Sequence, residues 1–570
     1  MKLLLTTLHA KYIHSSIALP YLAVSVRTVP NLVVSIREYS INDRTESILS
    51  KIISENADIV AFSCYIWNIS ETLKIVSDLK LVRPDIFIVL GGPEVSFGCN
   101  ELLLSNPAVD FIVRGEGEET LFELISALTL HREDNNGLLS ALSNIAGITF
   151  RCYEEVVNTA PRAVLQNLDS IPSPFVAGFV DDSKPLLYFE TSRGCPFSCA
   201  FCTSSIEKGV RPFSTGRVEN DLMLLMKRDG LTVKFVDRTF NYDAERANHI
   251  WEFILRYNRS AKFHFEIKAE LLTDSNFKVL SMAPADMFRF EIGVQSTNST
   301  ALDSVGRESD FPRLFENISR LRNETEVTLH LDLVAGLPGE DIAGFLDSLE
   351  KLLNLSPHFI QIELLKVLKG TAMRKIGAEN DYIFSAAPPY VVLKNRWLSF
   401  EDTVHIRKIA EIIEKFYNKG AFKATLKRIS EIEPLSVVFD AMAKSVDISS
   451  TLLHEPFSFF VKFIKGRYEP EKGLLLMDAL RFDYCMQGYP GSGFPDFLSD
   501  NSAISGSPKA PIPHAEIAER AGIFPSVRLS TFSAMFMMDY AKDFEEDSPV
   551  RLTFVYVLSV SRKAVNVISV

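Results

Sequence analysis

Apolar and polar residues alternate along the first 130 positions in a pattern that predicts strands and helices in turn. Short apolar runs predict buried strands, and longer amphipathic stretches predict helices. The predicted strands are Lys2–Leu8, Leu32–Glu38, Ile59–Ser63, Phe87–Leu90 and Phe111–Val113. The predicted helices are Ile17–Val26, Ile48–Glu55, Ile69–Leu81, Leu102–Leu104 and Thr120–Leu128. Strands that alternate with helices imply right-handed crossovers and an α/β fold with a parallel, doubly wound, Rossmann-like sheet over 1–130.

A second alternation begins after a stretch rich in polar residues and proline. Residues 131–185 predict a linker with a small β element at Ile148–Val157. Six apolar runs then follow, with helical stretches between them: Leu186–Glu190, Val233–Val236, Phe263–Ile267, Phe288–Ile292, Thr328–Val334 and Phe359–Leu364. Six such strands favour a partial, TIM-like (β/α)6 barrel at 186–390 over another open sheet.

The pattern changes again near residue 395. Trp397–Leu476 is mostly helical by periodicity, and Gly488–Pro513 is rich in glycine, serine and proline and predicts a loop. Three terminal runs predict strands: Val527–Phe532, Arg551–Val557 and Ala564–Val570. The sequence therefore predicts a mainly helical α+β extension over 395–570, to which no motif assigns a role.

Composition supports a folded chain with a sizeable core. Of the 570 residues, 47% are hydrophobic and 23% are charged, which excludes wholesale disorder. This length gives room for about three or four domains. Lysine and arginine number 60 against 72 acidic residues, for a formal net charge of −12. That balance argues against a protein that grips nucleic acid through its phosphates.

The cysteines and the length of the apolar runs bear on the compartment. The first residues are only briefly apolar, and no run reaches the roughly 18–20 residues that a membrane helix needs. Of seven cysteines, three are bunched together and four are scattered at Cys64, Cys99, Cys152 and Cys485. Because this odd, uneven set is not typical of a secreted disulfide framework, we expect a cytoplasmic protein without a membrane segment.

The bunched cysteines carry the strongest chemical signal. Cys195, Cys199 and Cys202 have the spacing C-x3-C-x2-C on a tight loop directly after an apolar strand. Three thiolates would leave one iron of a four-iron cube open to chelate a small ligand. Gly194 and Pro196 suit a loop that wraps closely around such a cube. The alternatives are three buried core cysteines, a structural zinc site or an electron-transfer cluster, and the last two need a fourth ligand.

With Phe201 just before its last cysteine, the motif resembles that of the radical SAM superfamily, over about 186–390. The resemblance implies that the three cysteines hold a catalytic [4Fe–4S] cluster whose open iron binds S-adenosylmethionine. It also implies reductive cleavage of that cofactor to a 5′-deoxyadenosyl radical, which abstracts hydrogen from a substrate. A flavodoxin- or ferredoxin-type partner would then donate the electron.

The same resemblance points to cofactor-binding residues near the ends of the predicted barrel strands, where active sites of barrels lie. Glu291–Ser296 resembles the segment that contacts the ribose and amino-acid part of S-adenosylmethionine, and Leu337–Glu340 resembles the stretch near its adenine. The candidate residues there are Asp237, Glu266, Glu291, Gln295 and Ser296, and the resemblance adds Arg211 and Ser214, which follow the cysteine loop. Each of them taken alone would also suit an ordinary surface turn.

Strand ends in the first domain carry residues that suit a bulky ligand. Doubly wound sheets bind ligands at the carboxyl ends of their strands, and glycines there let the backbone approach closely. Placed before the cysteine motif, this arrangement resembles the cobalamin-binding radical SAM proteins and implies a cavity for cobalamin. Its candidate residues are Ser63, Gly91, Gly92, Pro93, Gly115 and Glu116. The Asp-x-His-x-x-Gly motif of cobalamin mutases is absent, so neither His9 nor His14 is expected to bind cobalt.

Three classes of function fit these features. The leading hypothesis is a cobalamin-dependent methyl transfer to an unactivated centre of an unknown small molecule or peptide. In that reaction S-adenosylmethionine would both re-methylate cobalt and generate the radical. The second class is a radical rearrangement or cyclisation, and the third is a non-catalytic cobalamin or redox sensor. The intact cysteine motif argues against a sensor, because a sensor needs no open iron.

Overall fold

The computed structural model describes residues 1–132, 134–153, 155–445, 455–491, 493–499, 514–520, 529–542, 549–557 and 563–569. The chain is divided into two units. The first comprises Met1–Asp341 and Leu364–Thr403, and the second comprises Ile342–Glu363 and Val404–Val570.

The N-terminal part of the first unit contains a seven-stranded sheet with helices on both faces. The strands are β1 (Lys2–His9), β2 (Val33–Ser40), β3 (Ile59–Ser63), β4 (Phe87–Gly91), β5 (Phe111–Val113), β6 (Ile148–Cys152) and β7 (Glu155–Asn158). The helices are α1 (Ala18–Val26), α2 (Thr45–Ser54), α3 (Ile69–Val82), α4 (Cys99–Ser105), α5 (Glu118–Leu130) and α6 (Asn135–Asn144). The strand order is β2-β1-β3-β4-β5-β6-β7, parallel from β1 to β5 and antiparallel at β6 and β7.

Both faces of this sheet are buried, as a parallel sheet between helices requires. Leu3 and Leu5 of β1 belong to a core with α1 and α5, whereas Leu4 and Leu8 belong to a core with α2, α3 and α4. Successive side chains of a strand point to opposite faces, which is why the apolar run of β1 supplies both cores. The carboxyl edge of the sheet is left as the place where a ligand can approach.

The rest of the first unit begins with a hairpin and a second parallel sheet. In chain order the strands are β8 (Leu186–Phe189), β9 (Ser192–Cys195), β10 (Gly209–Pro212), β11 (Thr232–Phe235), β12 (Lys262–Ile267), β13 (Phe288–Gln295) and β14 (Thr328–Ala335). The helices are α7 (Thr215–Leu225), α8 (Ala244–Tyr257), α9 (Asp274–Leu280), α10 (Ser299–Ser304) and α11 (Phe311–Glu324). Strands β9 and β10 form an antiparallel hairpin, and the parallel order is β14-β13-β12-β11-β8.

One face of the second sheet is aromatic and the other is polar. Phe235, Phe265 and Phe290 are buried together with Trp251 of α8, whose ring lies 5.5 Å from that of Phe290. Residues at the intervening positions of β11 to β14 are largely polar and half-buried. The period of two along each strand therefore separates a packed face from a face that can contact a ligand.

The chain next enters the second unit with α12 (Ile342–Asn354) and β15 (Phe359–Leu364), and then returns to the first unit. The elements of that return are α13 (Met373–Glu379), β16 (Ile383–Phe384) and β17 (Val392–Lys394). The second unit continues with α14 (Phe400–Ile412), α15 (Lys423–Ser430), α16 (Leu435–Ser445), α17 (Pro456–Arg467), α18 (Pro470–Gln487) and α19 (His514–Arg520). It ends with a three-stranded antiparallel sheet of β18 (Ser530–Phe536), β19 (Val550–Tyr556) and β20 (Asn566–Ser569).

The structure confirms the predicted succession of strands and helices. All five strands predicted over 1–130 and all six predicted over 186–364 exist. The β element predicted at 148–157 extends the first sheet as β6 and β7, and α6 lies where only a linker was expected. Residues 446–454 of the predicted helical stretch, residues 492 and 500–513 of the predicted loop, and residues 527, 528 and 570 of the predicted strands lie outside the described residues. Among the described helices, none has both the length and the apolar character that crossing a bilayer requires.

Candidate active site

The three cysteines of the motif lie on the β9–β10 hairpin and in the loop that it closes. Cys195 is the last residue of β9, and Cys199 and Cys202 follow it. Gly194 has a φ of +89°, and a Cβ on it would lie 2.1 Å from the carbonyl oxygen of Gly209. Because no side chain fits at that distance, only glycine lets the two strands pair where the loop opens.

The thiols of this loop are free and have polar neighbours. Cys195 Sγ lies 3.4 Å from Thr239 Oγ1, and Arg307 Nη1 donates to Cys199 Sγ over 3.6 Å. Arg307 also donates to the carbonyl oxygen of Gly293 in β13, which fixes its position. Hydrogen bonds to cluster sulfurs are among the factors that set the reduction potential of an iron–sulfur site. These contacts therefore suit thiolates that bind iron.

Asp237, which follows β11, braces the start of the hairpin. Its carboxylate accepts hydrogen bonds from the Thr191 amide at 2.9 Å and from the hydroxyls of Thr191 and Ser192 at 2.6 Å each. Burial raises the pKa of Asp237, and these hydrogen bonds act in the opposite direction. The structure gives this residue a role in holding β9, and its contact with S-adenosylmethionine stays a prediction.

Two arginines of the hairpin bind acidic residues at the carboxyl edge of the first sheet. Arg193 and Arg211 are cross-strand partners. Arg211 donates to Glu116 through both terminal nitrogens at 3.0 Å, and Arg193 donates to Glu116 at 3.2 Å. Arg193 also donates to Glu118 at 2.6 Å and to Glu190 at 2.8 Å. The sequence assigns Arg211 to one cofactor and Glu116 to the other, and the structure brings these two residues together.

Burial and charge act against each other in this network. Burial would raise the pKa of Glu116, but hydrogen bonds from Arg211 and a main-chain amide, with the charge of two guanidiniums, bring it below its ordinary value. Burial raises the pKa of Glu190 even though Arg193 opposes the shift. Burial would lower the pKa of Arg193, but the charges of Glu190 and Glu118 raise it well above its ordinary value. Arg193 therefore stays charged at any physiological pH.

A cavity of about 650 Å³ lies at the carboxyl edge of the first sheet. Its lining includes Arg193, Gly194 and Arg211 of the cysteine hairpin. It also includes all six residues predicted to bind cobalamin: Ser63, Gly91, Gly92, Pro93, Gly115 and Glu116. The sequence prediction thus selected residues that share one cavity, whereas their contact with cobalamin stays a prediction.

Two glycines of the cavity have different reasons to be glycine. Gly92 has a φ of +104°, and a Cβ on it would lie 2.5 Å from the carbonyl oxygen of Cys64, so packing within the protein requires it. Gly115 has a φ of +75°, and a Cβ on it would meet no atom within 4 Å. Gly115 therefore leaves open space on the cavity side, where a bulky ligand can approach the backbone.

The histidines after β1 make contacts of their own. His9 Nε2 lies 3.2 Å from Glu38 Oε2, and His14 Nδ1 lies 2.8 Å from the Tyr188 hydroxyl. The residues that line the cavity, all within the described part of the chain, include no histidine. That neither histidine binds cobalt stays a prediction.

The polar face of the second sheet carries a cluster of titratable side chains around Glu291. Glu291 Oε2 lies 2.9 Å from Lys234 Nζ and 2.9 Å from His264 Nε2. Burial would raise the pKa of Glu291, but His264 and Lys234 hold it well below its usual range. Burial lowers the pKa of His264, and lowers that of His330 to about 4. Glu291 is therefore ionised beside histidines that are neutral near pH 7, and its contact with S-adenosylmethionine stays a prediction.

Three other predicted residues lie near the carboxyl ends of β12 and β13. Glu266 Oε2 lies 3.7 Å from Arg238 Nη1, and burial raises the pKa of Glu266. Gln295 ends β13 with a φ of +71°. Ser296 donates a hydrogen bond to Glu340. The structure thus joins the two segments that the sequence assigns to the ribose and the adenine of S-adenosylmethionine.

Ser214 has a role that the sequence prediction did not include. It is the N-cap of α7, and its hydroxyl accepts a hydrogen bond from the Arg217 amide at 3.3 Å. Its own amide donates to Asp169 at 3.1 Å. These contacts account for a serine at this position through helix capping alone.

Sequence reasoning missed two arginines beside the cysteines and several side chains on the polar face of the second sheet, although it did select Glu266 and Glu291 on that face. Arg193 and Arg307 contact residues that are distant in the sequence, so no local pattern indicated a role for either arginine. Lys234, His264 and His330 could have been identified from the sequence, because each lies between two apolar residues of its strand. A polar residue at every second position of a barrel strand indicates the inner face.

These donor groups fit an iron–sulfur cube and a bulky cofactor. Among the described residues, no three cysteine, histidine or acidic side chains converge as a single metal ion requires. A four-iron cube instead binds each thiolate through a separate iron, which suits three free thiols on one loop. The glycine-lined cavity with polar groups at its wall suits a large organic ligand.

Comparison with protein families identifies three regions. Residues 3–125 match the B12 binding domain, and residues 189–352 match the Radical SAM superfamily. Residues 378–510 match a family of unknown function, DUF4080. The first region contains the cavity-lining strand ends, and the second contains the three cysteines.

Two of the similar proteins are named as methyltransferases. An uncharacterized methyltransferase of Pyrococcus horikoshii, PH0819, is 27% identical over 380 residues, which cover 65% of this chain and 80% of the relative. The cobalamin-dependent radical SAM methyltransferase TokK of Streptomyces tokunonensis is 25% identical over 320 residues, covering 53% of this chain and 45% of TokK. This chain thus spans less than half the length of TokK.

A solved structure shares the fold. OxsB, a cobalamin-dependent S-adenosylmethionine radical enzyme solved with aqua-cobalamin and S-adenosylmethionine bound, is 17% identical with a TM-score of 0.57. The match covers 85% of this chain and 75% of OxsB. The cofactors of this chain are those of its two recognised domains: a [4Fe–4S] cluster, S-adenosylmethionine and cobalamin. The chain therefore contains a B12 binding domain followed by a radical SAM domain, and it is similar to cobalamin-dependent radical SAM methyltransferases such as TokK.

Proposed function

We propose that this chain is a radical SAM enzyme that transfers a methyl group to an unactivated centre of a small molecule or peptide. Relatives named as methyltransferases support this reaction class. When bound, the cluster with S-adenosylmethionine supplies a radical, and cobalamin supplies a carrier for the methyl group. A flavodoxin- or ferredoxin-type donor provides the electron.

The observation that carries this proposal is the wall shared by the two cofactor regions. Gly91 and Gly115 at the first sheet's edge line the same cavity as Gly194 and Thr203, which flank the cysteine loop. A ligand in this cavity contacts both regions. A methyl transfer that involves both cofactors requires such proximity, because the reacting groups must be held close together and correctly aligned.

The chain's own residues have separate tasks in this scheme. The three cysteines would hold the cluster, Arg307 and Thr239 would contact the sulfur atoms of its ligands, and the cavity would hold the corrinoid. The polar face of β11 to β14 orients a substrate that has hydrogen-bonding groups. Lys234 and Glu291, already paired with each other, supply both a donor and an acceptor on that face.

The proposal is tested on the whole chain reconstituted anaerobically with iron, sulfide and hydroxocobalamin. After gel filtration, iron, sulfide and corrinoid absorbance are measured. The protein is then incubated with S-adenosylmethionine and a chemical reductant, and 5′-deoxyadenosine and S-adenosylhomocysteine are quantified. Cys199→Ala is expected to abolish cleavage. Cys152→Ala, which removes a free, half-buried thiol outside the loop, is the matched control and is expected to retain it.

Each outcome separates the classes of function. Formation of both S-adenosylhomocysteine and 5′-deoxyadenosine with candidate substrates supports methyl transfer. Formation of 5′-deoxyadenosine alone with a consumed substrate points to rearrangement or cyclisation instead. Absence of any cleavage, zinc in place of iron, or failure to retain corrinoid would overturn the proposal.

A further inference from the structure

Glu116, in the turn between β5 and α5, binds both strands of the cysteine hairpin. We propose that Glu116 is a positioning residue that couples the corrinoid cavity to the cluster loop. The turn comprises residues 114–117 at the carboxyl edge of the first sheet, and Glu118 begins α5. The inference rests on the proposed function, because it assigns Glu116 this role only if both cofactors bind.

A single carboxylate joins the turn to both strands of the hairpin. Glu116 Oε1 accepts hydrogen bonds from Arg211 at 3.0 Å and from Arg193 at 3.2 Å. Its Oε2 accepts a third from the Leu165 amide at 2.7 Å. Arg193 and Arg211 face each other across β9 and β10, so Glu116 clamps the pair. Because Cys195 is two residues after Arg193, a shift of this clamp moves a cluster ligand.

The charged groups of this clamp are largely buried, and each of its two arginines has a second acidic partner. The side chains of Glu116, Arg193 and Arg211 are only 13%, 16% and 12% exposed, so their charges interact more strongly than surface pairs do. Each arginine also has another carboxylate: Glu118 accepts from Arg193 at 2.6 Å, and Glu207 accepts from Arg211 at 3.0 Å. Removing the charge of Glu116 therefore leaves neither guanidinium unpaired, and such a variant is expected to fold.

Glu116 also lines the cavity, so a bound corrinoid meets the clamp directly. If the corrinoid and the cluster-bound S-adenosylmethionine both depend on the position of Glu116, each must change the affinity of the other. Thermodynamic linkage makes the two changes equal in size. Loss of this mutual effect, rather than loss of either affinity, is the signature of the proposed role.

The experiment compares the dissociation constant of S-adenosylmethionine with and without saturating hydroxocobalamin, by equilibrium dialysis of the anaerobically reconstituted chain. In the native chain the two constants are expected to differ about fivefold or more. In Glu116→Gln the ratio is expected to fall to about one, with iron content and corrinoid absorbance measured on the same sample. Glu119→Gln is the matched control, because Glu119 is 55% exposed and pairs with Arg162 rather than with the hairpin. It is expected to keep the native ratio.

Three results would overturn the inference. One is a native ratio of one, and another is a Glu116→Gln ratio equal to the native ratio. A merely structural role would weaken both affinities and leave the ratio unchanged. If Glu116→Gln loses its cluster, Glu116→Asp is measured instead, because it keeps the negative charge and is expected to keep a ratio above one. The third overturning result is a ratio of one in Glu116→Asp with full cofactor binding. Failure of the native chain to bind cluster or corrinoid would instead remove the proposed function itself.

Discussion

Replacing Gly194 with alanine is expected to open the cysteine hairpin, whereas the same change at Gly209 is expected to leave it closed. Both glycines lie on the hairpin, with φ of +89° and +88°. A Cβ at Gly194 would lie 2.1 Å from the Gly209 carbonyl oxygen, while a Cβ at Gly209 would meet no atom within 4 Å. Both variants therefore place a side chain at positive φ, but only Gly194→Ala adds a steric clash.

The magnitude follows from these two contributions. A side chain at positive φ costs roughly 1–2 kcal/mol, and this cost applies to both variants. In Gly194→Ala the strands must also separate until the 2.1 Å contact reaches at least 3.0 Å. Loss of two hairpin hydrogen bonds, each contributing about 1 kcal/mol, adds about 2 kcal/mol to that variant alone. The closed hairpin is then disfavoured roughly thirtyfold more in Gly194→Ala than in Gly209→Ala.

Iron and sulfide per chain, measured after anaerobic reconstitution and desalting, report this difference. Gly209→Ala is expected to retain iron close to the native content, and Gly194→Ala is expected to lose most of it. Far-ultraviolet circular dichroism checks that both variants remain folded. Equal iron contents in the two folded variants would refute the reasoning, because the clash would then have no effect on the cluster loop.

Gly115→Leu is expected to abolish corrinoid retention without loss of iron, because the leucine side chain would enter the cavity. Gly178→Leu is the control, since Gly178 also has a positive φ, of +73°, but lies outside the cavity. Visible absorbance after gel filtration measures the corrinoid that each variant retains. Glu291→Gln is expected to lower stability by about 1–2 kcal/mol, because Lys234 loses its half-buried carboxylate partner, and an unchanged thermal midpoint would contradict this. Burial raises the pKa of Asp483 to about 7, so its contribution to stability is complete below its ordinary value near 3.8 and is lost as the pH rises through 7. Asp483→Asn is expected to flatten the pH dependence of the urea midpoint between about pH 4 and 7, and an unaltered slope would count against this assignment.

The cluster loop could be predicted because its chemistry is local. The three cysteines and Gly194 lie within a few positions of one another, so their spacing indicates a shared ligand. The strand ends of the first sheet could be predicted for a related reason, since a parallel sheet gathers all its carboxyl ends at one edge. The residues selected there, Gly115 among them, do line one cavity.

The contacts between distant segments could not be predicted. Arg193 and Glu116 are 77 positions apart, and their pairing depends on how two separately folded sheets meet within the first unit. Arg211 and Ser214 were chosen by their position after the cysteines, which does not say where a side chain points. One of them binds Glu116, and the other caps a helix. Residue type and order thus indicated a candidate site, whereas the partner of each side chain could be identified only from the folded chain.

The direction of the last two strands of the first sheet has a consequence for how the chain can be divided. Because β6 is antiparallel to β5 and β7 is antiparallel to β6, β7 ends at the same edge of the sheet where the cavity lies. Pro161 and Arg162 therefore form part of the cavity wall, and the Leu165 amide binds Glu116. A fragment cut at residue 130 would contain all five parallel strands yet lack one side of the site. The shortest piece able to retain a corrinoid on its own is expected to extend beyond residue 165.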